Sequence, residues 1–228
     1  VTPDLLWLVG FTVKVALAGV LLTLPFGILL GHWLARTRWP GRSVVETLST
    51  LPLVLPPTVV GLVLLEIFGR NRPLGRFLYE RLGLSVAFTW RAVVVASAVV
   101  AFPLLVRTIR AAFEGVDPRL PALARTLGRG PTHVFLTVSL PLASRGILAG
   151  AILAFSRALG EFGATIMVAG NIPFETQTMS LAIFQLVSIG HDSDAYRLAA
   201  VSVVVAFAAI WLSERLVRGA RARPPEGP

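Results

Sequence analysis

The chain has 228 residues, of which 55% are apolar and only 14% charged, with a mean hydropathy of +0.76 and a formal net charge of +9. A soluble domain carries about 25% charged residues, so this chain lacks the polar material to cover itself in water; with cysteine absent, the same figures exclude disorder, a collagen-like repeat and a disulfide scaffold. An integral membrane protein remains, and the positive charge, which elsewhere points to nucleic acid, reads here as arginines flanking spans in the lipid bilayer, with no nucleic-acid partner expected.

A bilayer core takes roughly 20 mostly apolar residues per helix, and five such stretches follow one another. The first covers residues 5–34 and is too long, and too poor in preceding basic residues, to read as a cleavable signal peptide. Lys14, the chain's one lysine, sits within it as a snorkelling edge residue or a packing partner. The second covers residues 44–68 and carries Pro52, Pro56 and Pro57, which remove helix hydrogen bonds. Two readings stand: a bend lining a cavity, with Thr58 offering a hydroxyl, or a packing kink whose carbonyls are satisfied by neighbours. In the following basic loop, residues 69–91, the stretch from Leu74 to Leu84 suits an amphipathic segment at the interface. The third span covers residues 86–106.

Residues 107–145 form the longest loop. Asp117 reads as a helix N-cap with Pro118 at the first helical position. A short helix, residues 119–127, is ended by Gly128 and by Gly130-Pro131. A second, residues 132–138, leads through Leu140-Pro141-Leu142 into the fourth span, residues 146–169. That span is interrupted by Arg157 and Glu161, four apart on one helix face. Charges within a span pair or face a cavity, so these two read as a self-neutralising structural pair or as direct contacts for a substrate. Gly160, Gly163 and Ala164 allow close helix approach near Phe162 and Thr165. The loop from Asn171 to Asp194 has no basic residue, and the fifth span covers residues 198–216.

Cytoplasmic loops retain Lys and Arg. With the amino terminus outside, thirteen arginines fall inside: Arg36, Arg38 and Arg42; Arg107, Arg110, Arg119, Arg125, Arg129 and Arg145; Arg215, Arg218, Arg221 and Arg223. Five fall outside, Arg70, Arg72, Arg76, Arg81 and Arg91, so the carboxyl terminus is expected in the cytoplasm. No Gly-x-x-x-x-Gly-Lys-Ser/Thr phosphate loop occurs, and Lys14 is in no such setting. These residues therefore do not hydrolyse ATP, and no catalytic role is expected of them. His32, His133 and His191 lie on separate segments, so no metal site is expected either.

The stretch ALARTLGRGPTHVFLTVSLPLASRGILAG, residues 122–150, resembles the cytoplasmic loop of bacterial ABC importer permeases, in which Glu-Ala-Ala, three residues, Gly, nine residues and Ile-x-Leu-Pro recur. Ala124 to Gly128 and Ser139-Leu140-Pro141 fit; Ala122 and Leu123 stand where the family has its acidic or amide residue and its first alanine. LPLVLPPTVVG (51–61), FTWR (88–91), FPLLVRTIRAAFEGVD (102–117) and SRALGEFGATIMVAGNIPFETQT (156–178) are similar to the molybdate branch of that family.

The resemblance implies an all-α polytopic membrane protein with the type I ABC importer permease fold, about five transmembrane helices per subunit and a cytoplasmic coupling loop of two short helices. It implies a homodimer in a bacterial inner membrane, two ATP-binding-cassette subunits on the cytoplasmic side, and an extracytoplasmic oxyanion-binding protein. ATP and magnesium would be bound by the ATPase, and no cofactor by this chain. The implied coupling residues are Asp117, Ala122, Ala124, Arg125, Thr126, Leu127, Gly128, Gly130, Pro131 and Pro141. Those implied for the translocation path or dimer interface are Pro52, Pro56, Pro57, Thr58, Gly160, Glu161, Phe162, Gly163 and Thr165. Other tetrahedral oxyanions, tungstate, sulfate or thiosulfate, remain alternative cargoes. A stand-alone secondary transporter would be expected to carry an internal repeat, and none is evident.

Overall fold

Lipid offers no water to satisfy peptide groups, so each long apolar run closes its own hydrogen bonds as a helix. The computed structural model describes residues 4–221, and eleven helices take up most of them. In chain order they are α1 (Leu5–Arg36), α2 (Arg42–Val54), α3 (Pro57–Phe68), α4 (Pro73–Leu82), α5 (Trp90–Glu114), α6 (Arg119–Thr126), α7 (Pro131–Val134), α8 (Leu140–Leu159), α9 (Gly163–Ala169), α10 (Met179–Ser188) and α11 (Asp192–Arg221). A π-helical turn, Phe135–Ser139, joins α7 to α8. Arg223, counted above on the inside, lies outside the described residues.

Four helical stretches are long and apolar enough to cross a bilayer: α1, α5, the run Pro131–Leu159, and Asp192–Trp211. The bent pair α2 and α3 adds a fifth if counted as one span. Helix α5 is the centre of the bundle: 67% of its most apolar window is buried, against 11% for α11. Helices α1 and α8 flank it, with Leu105, Ile109 and Phe113 fully buried between them. Close approach is set by small residues on α1, since a Cβ on Gly19 would stand 3.2 Å from backbone atoms of Val94 and Ala98. Large apolar side chains that face outward, such as Leu21, Leu22, Phe26 and Leu29, form a surface suited to acyl chains and untenable in water. The chain is an integral membrane protein.

Four of the five expected spans change. The second span is not one kinked helix, because the chain bends by 110° between α2 and α3. Leu55 is extended (φ −67°, ψ 143°), as the residue before a proline prefers, and Pro57 takes the first position of α3, where its missing N–H costs nothing. Pro52 stays within the last turn of α2. The third span starts at Trp90 rather than residue 86, because the Phe88 amide is tied to the Val168 carbonyl (3.0 Å) and only then does the chain enter the helix; it runs on to Glu114, taking in Arg107 and Arg110. The expected second short helix is the inner end of the fourth span: Leu140 N–H donates to Phe135 O across the π turn. That wider turn accommodates Pro141 without a break, since proline would crowd a regular α-helical carbonyl four residues back. The same helix stops at Leu159, and α9 is a separate piece after Gly160. The last helix starts earlier than residue 198, with Asp192 and Asp194 in its first turn at the positive end of its dipole.

Two further elements frame the ends. Helix α4 lies in the basic loop with its residues largely exposed; Arg76 is hydrogen-bonded to Glu80 (2.7 Å), which holds its guanidinium above its usual pKa. Helix α10 was not foreseen. Thr178 caps it, and its first amide, Met179 N–H, donates to Thr12 Oγ1 (3.0 Å), pinning it to α1.

Candidate functional site

Two regions gather the residues singled out by sequence. The first lies where both broken elements meet. Helices α3 and α9 pack across glycines: a Cβ on Gly61 would stand 2.5 Å from the Ala164 carbonyl oxygen, and one on Gly163 would stand 2.8 Å from Pro57 Cβ. The Pro56-Pro57 corner and the Gly160–Thr165 segment, far apart in sequence, therefore form one seam. Pro56, Pro57, Thr58 and Gly160 are exposed; Pro52, Phe162 and Gly163 are half-buried. Thr165 is fully buried, and its hydroxyl has no partner among the described residues. The Phe162 ring packs on Phe184 of α10 at 5.1 Å.

Glu161 is 2% exposed and accounts for both of its carboxylate oxygens. Arg157 Nη1 lies 2.9 Å from one, and the Ala164 N–H donates to the other at 2.8 Å. A buried carboxylate is tolerated only when paired and hydrogen-bonded. Here it stitches the end of α8 to the start of α9 across the break at Gly160, the structural reading of this pair.

The second region is the segment between α5 and α8. Asp117 Oδ1 accepts from Arg119 N–H (2.9 Å), capping α6. The helix ends with Gly128 at φ +81°, Gly128 N–H on Arg125 O and Arg129 N–H on Ala124 O. This is a Schellman ending, and the left-handed residue it needs is the glycine. Pro131 then opens α7 after Gly130. No residue of α6 is buried. Leu120, Leu123 and Leu127 project outward at 45%, 62% and 75% exposure, an apolar stripe at helical spacing. Ala122 and Arg125 lie on the other side of α6 and, with Pro131, line a recess beneath it. Ala124 is half-buried, Thr126 and Pro141 are exposed. Helix α6 rests on α7 and the π turn, which run on into α8 as one continuous rod.

Sequence reasoning passed over an ion network beside this segment. Arg110 contacts Glu46 and Glu114 (2.7 Å to the latter), and Arg42 reaches Glu114 at 3.3 Å, binding the foot of α2 to α5. The Arg110–Glu114 spacing of four was the available signal. Arg36 adds a tie, its Nη2 donating to the carbonyls of Phe113 (3.2 Å) and Val116 (3.1 Å).

Comparison with known proteins agrees with this fold. The family model described as binding-protein-dependent transport system inner membrane component matches residues 24–221. The molybdenum transport system permease protein ModB of Escherichia coli (strain K12) is 47% identical over 213 residues, 93% of each chain. The sulfate transport system permease protein CysT of Salmonella typhimurium is 41% identical over 159 residues, 70% of this chain and 57% of that one. Among solved structures, a bacterial ABC transporter that imports alginate superposes with a TM-score of 0.73 at 17% identity, covering 96% of this chain and 80% of that chain. The MetNI methionine ABC transporter gives 0.68 at 20% identity, covering 96% and 99%. At such identities the likeness is one of fold.

Proposed function

The chain belongs to the family of binding-protein-dependent transport system inner membrane components, and from that premise we propose that it is the membrane-spanning subunit of an ATP-driven importer of molybdate. The observation that carries the cargo is the 47% identity to a molybdenum permease across 93% of both chains. The sulfate permease supports a second reading, sulfate, over a smaller share of either chain.

In this reading two copies enclose the path, with the amino terminus outside and the carboxyl terminus in the cytoplasm. An extracytoplasmic binding protein delivers the oxyanion, and two ATPase subunits, which bind ATP and magnesium, sit beneath. The chain itself binds no cofactor. The leucine stripe of α6, between the Asp117 cap and the Gly128 ending, seats on the ATPase. When the ATPase subunits close on ATP, α6 moves as a rigid body and levers the rod that ends at Arg157. The Glu161 stitch hands that motion to α9, and the glycine seam hands it to α3. The exposed corner at Pro56, Pro57, Thr58 and Gly160 then opens to one side of the membrane or the other. The positive end of α3 at this corner favours an anion weakly, which suits a path that must release its cargo.

Proteoliposomes holding this chain with its cognate ATPase and binding protein are expected to take up labelled molybdate on ATP addition, in preference to sulfate. Preferential uptake of sulfate would overturn the cargo assignment, and absence of ATP-driven uptake of either would overturn the oxyanion reading.

A further inference from the structure

Beneath α6 lies a cavity of about 300 Å³ that the transport reading leaves without a role. Its walls include His32 and Arg36 from the last turns of α1, Ala122 and Arg125 from α6, Phe135, and the buried Ser139 of the π turn. No Asp or Glu lines it. The nearby carboxylates are engaged: Glu46 with Arg110, Glu114 with Arg42 and Arg110, and Asp117 with the Arg119 amide. Arg125 has no carboxylate partner among the described residues. Arg36 spends only its Nη2 on the Phe113 and Val116 carbonyls, which leaves Nε and Nη1 without an acceptor among the described residues. The His32 ring is held between Phe113 and Phe135 (4.8 and 4.7 Å), and its Nδ1 is buried with no partner among the described residues. The cavity therefore holds donors and excess positive charge, with no carboxylate among the described residues that line it.

Its depth narrows the ligand. Trp7 and Trp33 stand 26 residues apart on α1, about 39 Å at 1.5 Å per residue, close to the thickness of a bilayer with its headgroups. Trp33 and Trp39, both exposed, mark one interfacial belt. His32 and Arg36 lie at that level, the level of phospholipid phosphates, and under the assigned orientation it is the inner leaflet.

We propose that this cavity binds a phosphate-class oxyanion, either the headgroup of an anionic phospholipid or free phosphate, clamped between Arg36 of α1 and Arg125 of α6. Bound there, it braces the coupling helix, which buries no residue of its own and rests on α7 and the π turn. The proposal rests on the membrane reading and is independent of which anion is transported.

The test uses the assembled transporter in nanodiscs of phosphatidylcholine alone or with phosphatidylglycerol, with retained lipid read by native mass spectrometry after transfer to detergent. Phosphatidylglycerol is expected to be retained on the wild type and bound about tenfold more weakly by Arg125→Gln, as loss of a charge-assisted contact implies. Arg129→Gln, an exposed neighbour that does not line the cavity, is expected to retain it. Titration with inorganic phosphate separates the sources: competition that Arg125→Gln abolishes identifies a free oxyanion, and its absence identifies the lipid. Equal retention by Arg125→Gln and wild type, or no preference for phosphatidylglycerol and no phosphate binding, would overturn the site.

Discussion

Glycine is used for opposite reasons at the two regions. In the seam between α3 and α9 the space around Gly61 and Gly163 is so full that a single added carbon would overlap a neighbour. Around Gly128 and Gly130 the same carbon would meet nothing within 4 Å, and Gly128 is needed for its left-handed backbone. The seam is specified by packing and the proposed coupling segment by backbone shape. Damage in the seam should appear as lost stability, and damage in the coupling segment as lost transport by a protein that still folds.

The sharpest way to break that division is at Glu161. Removing one partner of a buried ion pair typically costs about 3–5 kcal/mol. Because Arg157 is itself 31% exposed, Glu161→Ala is expected near the lower end, about 3 kcal/mol, measured by thermal unfolding in detergent. Glu161→Gln, which can still accept the Ala164 amide, should lose less. Wild-type stability for Glu161→Ala would remove the stitch from the account. Next in size is Gly61→Val, where overpacking against the Ala164 backbone should cost about 2 kcal/mol. Gly130→Ala, with open space around it, serves as the matched control and should melt like the wild type.

The contrast also explains what could be read from sequence. The coupling segment is governed by local rules, so Asp117-Pro118 and Gly128 declared both ends of α6 directly. The seam depends on residues about a hundred positions apart, and sequence supplied its members, Pro57 on one side and Gly163 on the other, without their meeting. Pro56-Pro57 and the Arg157/Glu161 pair marked where two spans are interrupted, but hydrophobicity could not show how far the chain turns there, because Leu55 and Gly160 change its direction without changing its polarity. It also placed the inner end of the fourth span too late, since Pro141 looks like a stop until a π turn absorbs it. Helix α10 was hidden for another reason: ten residues are too few to register as a span, and its start depends on Thr12, 167 residues away.

A small expected change in stability accompanies the largest expected change in function. Gly128→Trp puts a side chain where φ is +81°, and the left-handed conformation costs an L-residue roughly 1–2 kcal/mol. Open space around the position confines that strain to the end of α6, and the fold beyond it has no reason to yield. The Arg129–Ala124 and Gly128–Arg125 hydrogen bonds would loosen, and with them the direction of the Leu120, Leu123 and Leu127 stripe. Membrane insertion and melting temperature should stay close to wild type while ATP-driven uptake falls by at least an order of magnitude, consistent with a mispositioned coupling helix worth about 1.4 kcal/mol or more of lost coupling. Full uptake by this variant would mean that the shape of the segment is not what couples it, and the division between a packed seam and a shaped lever would fail at the lever.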